Sequence, residues 1–246
     1  MPQADLSNRK LLLFSNSRDE AGRFLFHAKD ELSAHFKGVR KVTFVPYASV
    51  IGDWDAYEAH VREAFSTFRV EVESVHRASN PVDAIRNAEA IAIGGGNTFQ
   101  LIAEIQRNNL VNVIRERAMF GTPYVGWSAG SVVACPTIQT TNDMPIAQPQ
   151  SFLSLNLVDF QINAHFTDLH PPGFQGETRR QRLLEFVTAN PKSRVVGLPE
   201  GTWLSVNGRS VVLRGSTSAP LFRANEADAE LQTGVELSAI LEKTIS

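Results

Sequence analysis

Short apolar runs alternate with longer stretches of helical patterning through the first half of this chain, and that rhythm limits its fold more than any other feature. Runs of strand length lie at Lys10–Phe14, Lys41–Val45, 70–75, Ala90–Ile93 and 122–125. Between them, 20–36, 53–68, 81–88 and 98–120 carry helical spacing, the last as one or two helices. Parallel neighbours in a sheet need crossover connections, and amphipathic helices supply these while covering the faces. The expected architecture is therefore α/β, with a mostly parallel central sheet and helices on both faces. The second half is less regular. A short strand is expected at 161–163, a helix at 177–189 and a strand at 195–198. A C-terminal β-hairpin is expected from 203–206 and 210–213, turning at Asn207-Gly208. The length of 246 residues suits one α/β domain, with 1–9 as a flexible tail and the segment from Ala224 at the periphery.

A formal net charge of −2 gives no field to gather nucleic acid or an anionic membrane. The first ten residues are polar, and nowhere do eighteen apolar residues run together. Cys135 is the one cysteine, which excludes an intrachain disulfide and reads as a buried, inert thiol. A cytoplasmic protein is the expectation, with its oligomeric state left open. No cofactor and no metal are expected. There is no Gly-Lys-Ser/Thr phosphate loop and no His-Glu-x-x-His, and Phe99 stands where a dinucleotide fingerprint needs a small residue.

The chemistry centres on Gly126-Trp127-Ser128-Ala129-Gly130, directly after the apolar run 122–125. A serine between glycines on a strand-to-helix turn is lifted clear of the strand end, where its hydroxyl can attack a carbonyl. Glycine at such a turn can also serve geometry alone. Gly94-Gly95-Gly96-Asn97 ends another strand, and ligands of open α/β sheets bind beyond such ends. The amides of Gly95, Gly96 and Ala129 are candidates for an oxyanion hole, and Asn97 for a substrate contact. A tight turn explains the glycines equally well.

A serine nucleophile needs a base. His27, His35, His60 and His76 lie among charged neighbours and read as surface residues. His165 follows an apolar segment, where a strand end would deliver it to the same rim as Ser128, and His170, in a Pro-rich loop, is the second choice. Glu200, in a Pro/Gly turn after a strand, and Asp143, in the polar loop 136–149, compete to orient the base. Arg179 falls in the first turn of the helix expected at 177–189, where the macrodipole disfavours a cation, with Leu183 and Phe186 on the same stripe. It reads as a carboxylate-binding residue or as part of a solvated basic face with Arg180 and Arg182.

These residues sit in blocks that resemble the peptidase E family of α-aspartyl dipeptidases. They include Leu12-Leu13-Phe14-Ser15-Asn16-Ser17, Gly94-Gly95-Gly96-Asn97-Thr98-Phe99-Gln100-Leu101 and the Ser128 turn. Thr140-Thr141-Asn142-Asp143-Met144-Pro145-Ile146, Gln161-Ile162-Asn163-Ala164-His165-Phe166, Gly176-Glu177-Thr178-Arg179 and Gly197-Leu198-Pro199-Glu200-Gly201 continue the match. The resemblance implies a fold similar to class I glutamine amidotransferases and hydrolysis of dipeptides with N-terminal aspartate. Ser128 matches the family nucleophile, His165 its base, Glu200 or Asp143 the orienting carboxylate, with Glu200 preferred because a strand end holds a carboxylate better than a long loop does, and Arg179 the residue for the aspartyl side chain. Ala164 departs from the proline of many members, Ser131, Val132 and Val133 also vary, and the similarity fades after Gly208. An amidohydrolase acting on another acidic amide, such as a β-aspartyl peptide, and a binding protein without turnover are the alternatives.

Overall fold

A computed structural model describes residues 6–50, 53–173 and 175–241. Its larger sheet has seven strands in the order β3-β2-β4-β5-β1-β8-β9. The strands β1 (Lys10–Phe14), β2 (Lys41–Val45), β3 (Glu71–Ser74), β4 (Ala90–Ile93) and β5 (Tyr124–Trp127) run parallel. The antiparallel pair β8 (Thr202–Asn207) and β9 (Ser210–Gly215) extends the sheet from β1. Inner strands are apolar where both faces are covered, β4 throughout and β1 from Leu11 to Phe14, after the exposed Lys10. Alternate side chains go to opposite layers: Leu11 and Leu13 join one core, Leu12 and Phe14 the other. Because β5 lies between β4 and β1, with Gly126 opposite both Ile93 and Leu13, the loops leaving β4 and β5 emerge side by side.

The helices α1 (Lys29–His35), α2 (Trp54–Ser66), α3 (Pro81–Arg86), α4 (Thr98–Arg107) and α5 (Leu110–Met119) supply the crossovers. Their ends have local causes. Asp53 caps α2 through Asp55 N, Asn80 caps α3 with Pro81 following, and Asn109 at φ 57 breaks 98–120 into two helices. The expected helix at 20–36 begins only at Lys29, after a 3-10 turn. Asp19 accepts hydrogen bonds from the amides of Ala21 and Arg23 and from Arg23 Nε, closing a local loop that competes with the helix.

A second sheet, of four strands, stands apart from the first, a division the expected single central sheet does not contain. Its order is β11-β10-β7-β6, built from β6 (Gln161–Phe166), β7 (Arg194–Pro199), β10 (Ala219–Arg223) and β11 (Ala229–Leu231). One face sends Ile162, Ala164, Val196, Leu198 and Leu221 into the shared core. The other is covered by α7 (Arg179–Ala189), whose Leu183 and Val187 pack on Phe166, Val195 and Phe222. The short α6 (Ala129–Val132) touches both β5 and β6 and so spans the two sheets.

Four further expectations are corrected. Residues 6–9 are not a tail, for Arg9 is fully buried and donates to Leu157 O at 2.7 Å and Gly208 O at 3.0 Å; 1–5 lie outside the described residues. The segment after Ala224 is not peripheral throughout, since Leu231, Leu237 and Leu241 (the last in α8, Ser238–Leu241) are buried in the main core. The hairpin pairs Asn207 with Ser210, so its turn is Gly208-Arg209, with the positive φ of 58 at Gly208 alone among the turn pair. Nor are the early histidines surface residues. Ring nitrogens of His27, His35 and His60 are enclosed, with His27 against Phe14 and Trp203 and His60 edge-on to Phe24.

Candidate active site

Close approach of backbone shapes the turn around Ser128. A Cβ on Gly126 would lie 2.3 Å from Gly130 O, and one on Gly130 would lie 2.1 Å from Ile93 O. Neither position admits a side chain, so the sharp turn and its seat against β4 both require glycine. Ser128 itself sits at φ 53, ψ −116, a conformation costly for a residue with a Cβ, and its amide donates to Phe14 O at 3.0 Å. That anchor ties the turn to β1.

His165 reaches the same point from the second sheet. The β6–β7 register shifts between Ala164 and Phe166, and His165 there has φ 54. This bulge turns the residue out of the ladder. Its amide donates to Ser15 Oγ at 2.9 Å, and Ser15 Oγ donates to Leu198 O at 2.8 Å, so one hydroxyl holds the ends of β1, β6 and β7 together. The imidazole Nε2 lies 2.9 Å from Ser128 Oγ, and Nδ1 lies 2.6 Å from Glu200 Oε1. With Nδ1–H donating to the carboxylate, Nε2 carries the lone pair facing the serine hydroxyl. The turn bearing Glu200 is held by Gly201 N donating to Asn16 Oδ1 at 2.8 Å.

Arg179 is the first residue of α7, where Thr178 and Gln181 form a capping box. Its Nη1 donates to His165 O. Burial lowers the guanidinium from its ordinary value, with the nearby Glu200 opposing that shift. Arg179, Ser128, His165 and Asp143 line one cavity of about 240 Å³, in which Asp143 is the single carboxylate. An open groove of about 870 Å³ is lined by Glu200 together with Asn16, Arg18 and Trp203 among others.

Asp143 does not meet His165 Nδ1. Its Oδ2 accepts from Thr98 N at 2.8 Å, Thr98 Oγ1 at 2.6 Å and Thr141 Oγ1 at 3.0 Å, which pins the polar loop to the start of α4. Asn97, expected to touch substrate, has both ends of its amide engaged. Oδ1 caps α4 through Gln100 N and Nδ2 donates to Met144 O, so the side chain is a helix cap and loop strap. His170 contacts Gly176 O instead of the serine. Cys135 is fully buried and its thiol is pushed up by burial. The amides of Gly95, Gly96 and Ala129 make no backbone hydrogen bond among the described residues. Outside the lining of this cavity, ligand atoms of Asp55, Glu58 and His76 group within 4.8 Å, and Arg62 and Arg77 already neutralise the carboxylates.

Sequence reasoning passed over Ser15, Asn16, Tyr57 and Thr98. The signal for the first two was their place directly after β1, at a strand's carboxyl end.

The model of peptidase family S51 matches residues 11–214, a span that holds every residue just described. The chain belongs to peptidase family S51. It is accordingly a peptidase, a hydrolase. It is 44% identical over 238 residues to a peptidase E of Nostoc sp. (strain PCC 7120), covering 96% of this chain and 98% of that one. With a peptidase E of Salmonella typhimurium it shares 42% over 225 residues, covering 92% and 98%. In fold it resembles the crystal structure of a peptidase from an acI-B1 Actinobacterium, with a TM-score of 0.69 at 15% identity and coverage of 93% and 96%. A putative peptidase E from Listeria monocytogenes superposes with a TM-score of 0.62 at 21% identity, covering 85% of this chain and 99% of that one. Among the described residues of this family member, no helix is long and apolar enough to cross a membrane.

Proposed function

We propose that this chain is one serine dipeptidase domain that hydrolyses Asp-Xaa dipeptides through a Ser128–His165–Glu200 triad on a nucleophile elbow. The observation that carries this reading is the continuous Ser128–His165–Glu200 hydrogen-bond chain of 2.9 and 2.6 Å, with Arg179 lining the same cavity. Peptidase E relatives at 42 to 44% identity support the substrate class.

In this mechanism His165 Nε2 removes the hydroxyl proton as Ser128 Oγ attacks the aspartyl carbonyl, and Glu200 stabilises the imidazolium. Amides of Ala129 and of the loop after β4 receive the oxyanion. The imidazolium returns its proton to the leaving amine, and the C–N bond breaks toward the groove beside Glu200. Water activated by His165 then opens the aspartyl ester, releasing aspartate and restoring the serine. Arg179 receives the substrate's β-carboxylate. Asp143, held through Oδ2, offers Oδ1 to the free α-ammonium, a charge that an exopeptidase must recognise and an internal peptide lacks.

The test is a panel of Asp-Leu, Asn-Leu, Ala-Leu and β-Asp-Leu with wild type and Arg179→Ala. Wild type is expected to prefer Asp-Leu, and the variant to lose most discrimination between aspartate and asparagine. Preferential turnover of β-Asp-Leu, or tight binding without any turnover, would replace the reading with an isoaspartyl hydrolase or a binding protein.

A further inference from the structure

Gly94, Gly95 and Gly96 leave the loop after β4 without a side chain to hold its peptide planes. Glycine accepts either sign of φ, and Gly96 already stands at φ 139. A peptide turned over in this loop would point a carbonyl at the oxyanion where an amide is needed. Among the described residues, one side chain opposes that rotation. Tyr57, on α2, places its Oη 3.1 Å from Gly95 O and 2.9 Å from Trp127 Nε1. An indole N–H can only donate, so the phenol accepts from Trp127 and its single proton must go to Gly95 O. Burial pushes the phenol up to about 12, which keeps that proton in place at neutral pH.

The carbonyl of Gly95 and the amide of Gly96 belong to one trans peptide and point in opposite directions, so holding the first aims the second. Trp127 directly precedes Ser128. A Cβ on Gly95 would lie 3.0 Å from both Ser128 Cβ and Trp127 Cδ1, and one on Gly94 would lie 2.7 Å from Tyr57 Oη. Glycine at these positions lets the loop rest on the Ser128 turn on one side and on the phenol on the other. The phenol therefore joins the residue before the serine to the peptide beside it.

We infer that Tyr57 is a positioning residue for the oxyanion hole, locking the Gly95–Gly96 peptide with its amide toward the reacting carbonyl. This rests on Ser128 as nucleophile and goes beyond the triad and the substrate contacts. Tyr57→Phe removes only Oη. Its first readout is the rate at which a fluorophosphonate labels Ser128, which needs oxyanion stabilisation but no aspartyl recognition. Labelling and kcat for Asp-Leu are expected to fall by about 10- to 100-fold. KM for Asp-Leu and the inhibition constant of free aspartate are expected to stay within about twofold, since ground-state contacts are untouched. A merely structural tyrosine would move those two constants together with Tm. Labelling and kcat within twofold of wild type, or aspartate affinity falling in step with kcat, would overturn the inference. If wild type labels at Ser128 yet leaves Asp-Leu intact, the substrate reading fails while the labelling comparison still decides the role of Tyr57. If wild type does not label at Ser128, nucleophile and inference fall together.

Discussion

The seven-stranded and four-stranded sheets contribute opposite halves of the candidate site and are encoded in different ways. The larger sheet delivers Ser128 and the glycine loop from neighbouring parallel strands, each followed at once by its own helix. Its local rules, apolar strand, glycine turn and capped helix, agree with one another along the sequence. The smaller sheet delivers His165 from a bulge, Glu200 from the turn after β7 and Arg179 from the start of α7. Its parallel β6–β7 pair is completed by β10 and β11, which come after the excursion of β8 and β9 into the other sheet. The comparison teaches that strand ends of a regular α/β sheet can locate the proposed nucleophile, while the imidazole proposed as its base depends on a long-range union of two sheets.

The largest effect should come from cutting across that union. Ser128→Ala and His165→Ala are each expected to lower kcat for Asp-Leu by about 10⁴-fold or more, with Tm little changed, because each removes an inseparable part of one relay. A His165→Ala enzyme with near-normal turnover would show that the smaller sheet does not supply the base. Next, Glu200→Gln should lower kcat by about 10²- to 10⁴-fold. Asp143→Asn should act mainly on KM, by about 10- to 100-fold, through loss of the ammonium contact. Steady-state kinetics giving the reverse pattern would move the orienting role to the loop that packs on the larger sheet.

Acid should test the larger sheet's side of the comparison. Burial holds His35 down to about 4, against about 6.5 in an unfolded chain. Between these values the unfolded chain binds a proton that the folded chain refuses, so stability rises with pH across the window. It is complete above pH 6.5 and is lost as pH falls toward 4, by about 3 kcal/mol for this one group. Urea midpoints from pH 4 to 7 should show that slope, and His35→Gln should flatten it. The smallest effect is expected at the seam near Arg9, whose guanidinium bonds to carbonyls of Leu157 and Gly208. Arg9→Met should cost about 2 kcal/mol of unfolding free energy by orphaning buried acceptors. Unchanged denaturant stability would mean that this end of β1 is not a strap between the regions.

Much of the larger sheet was legible because each element carries its own signal. β1, β2 and β4 match the apolar runs residue for residue, and Asp53 and Asn80 mark helix starts. The loop before α1 was misread because Asp19 satisfies nearby amides in a way that helical spacing does not reveal. Strands β10 and β11 carry weaker signals, because β11 has three residues and β10 pairs with β7 across the intervening β8–β9 hairpin. Within the site, Ser128 was visible from its glycines. The capping role of Asn97 was not legible, because a capping asparagine and a ligand-binding one look alike in a glycine-rich motif. Tyr57 gave no sign, since a tyrosine on a half-buried helix face is ordinary until its hydroxyl is seen between an indole and a carbonyl.

By itself the sequence determined the parallel α/β body, the glycine-bounded serine and the family resemblance, because strand periodicity, turn sterics and motif blocks are all written in contiguous residues. Tertiary structure alone decided that Glu200 rather than Asp143 meets His165 Nδ1, and that Arg179 lines the cavity holding Ser128. Those are facts about which distant segments converge. They depend on a bulge in β6, the bridging hydroxyl of Ser15 and the packing of one sheet on another, interactions whose partners lie as many as 183 residues apart.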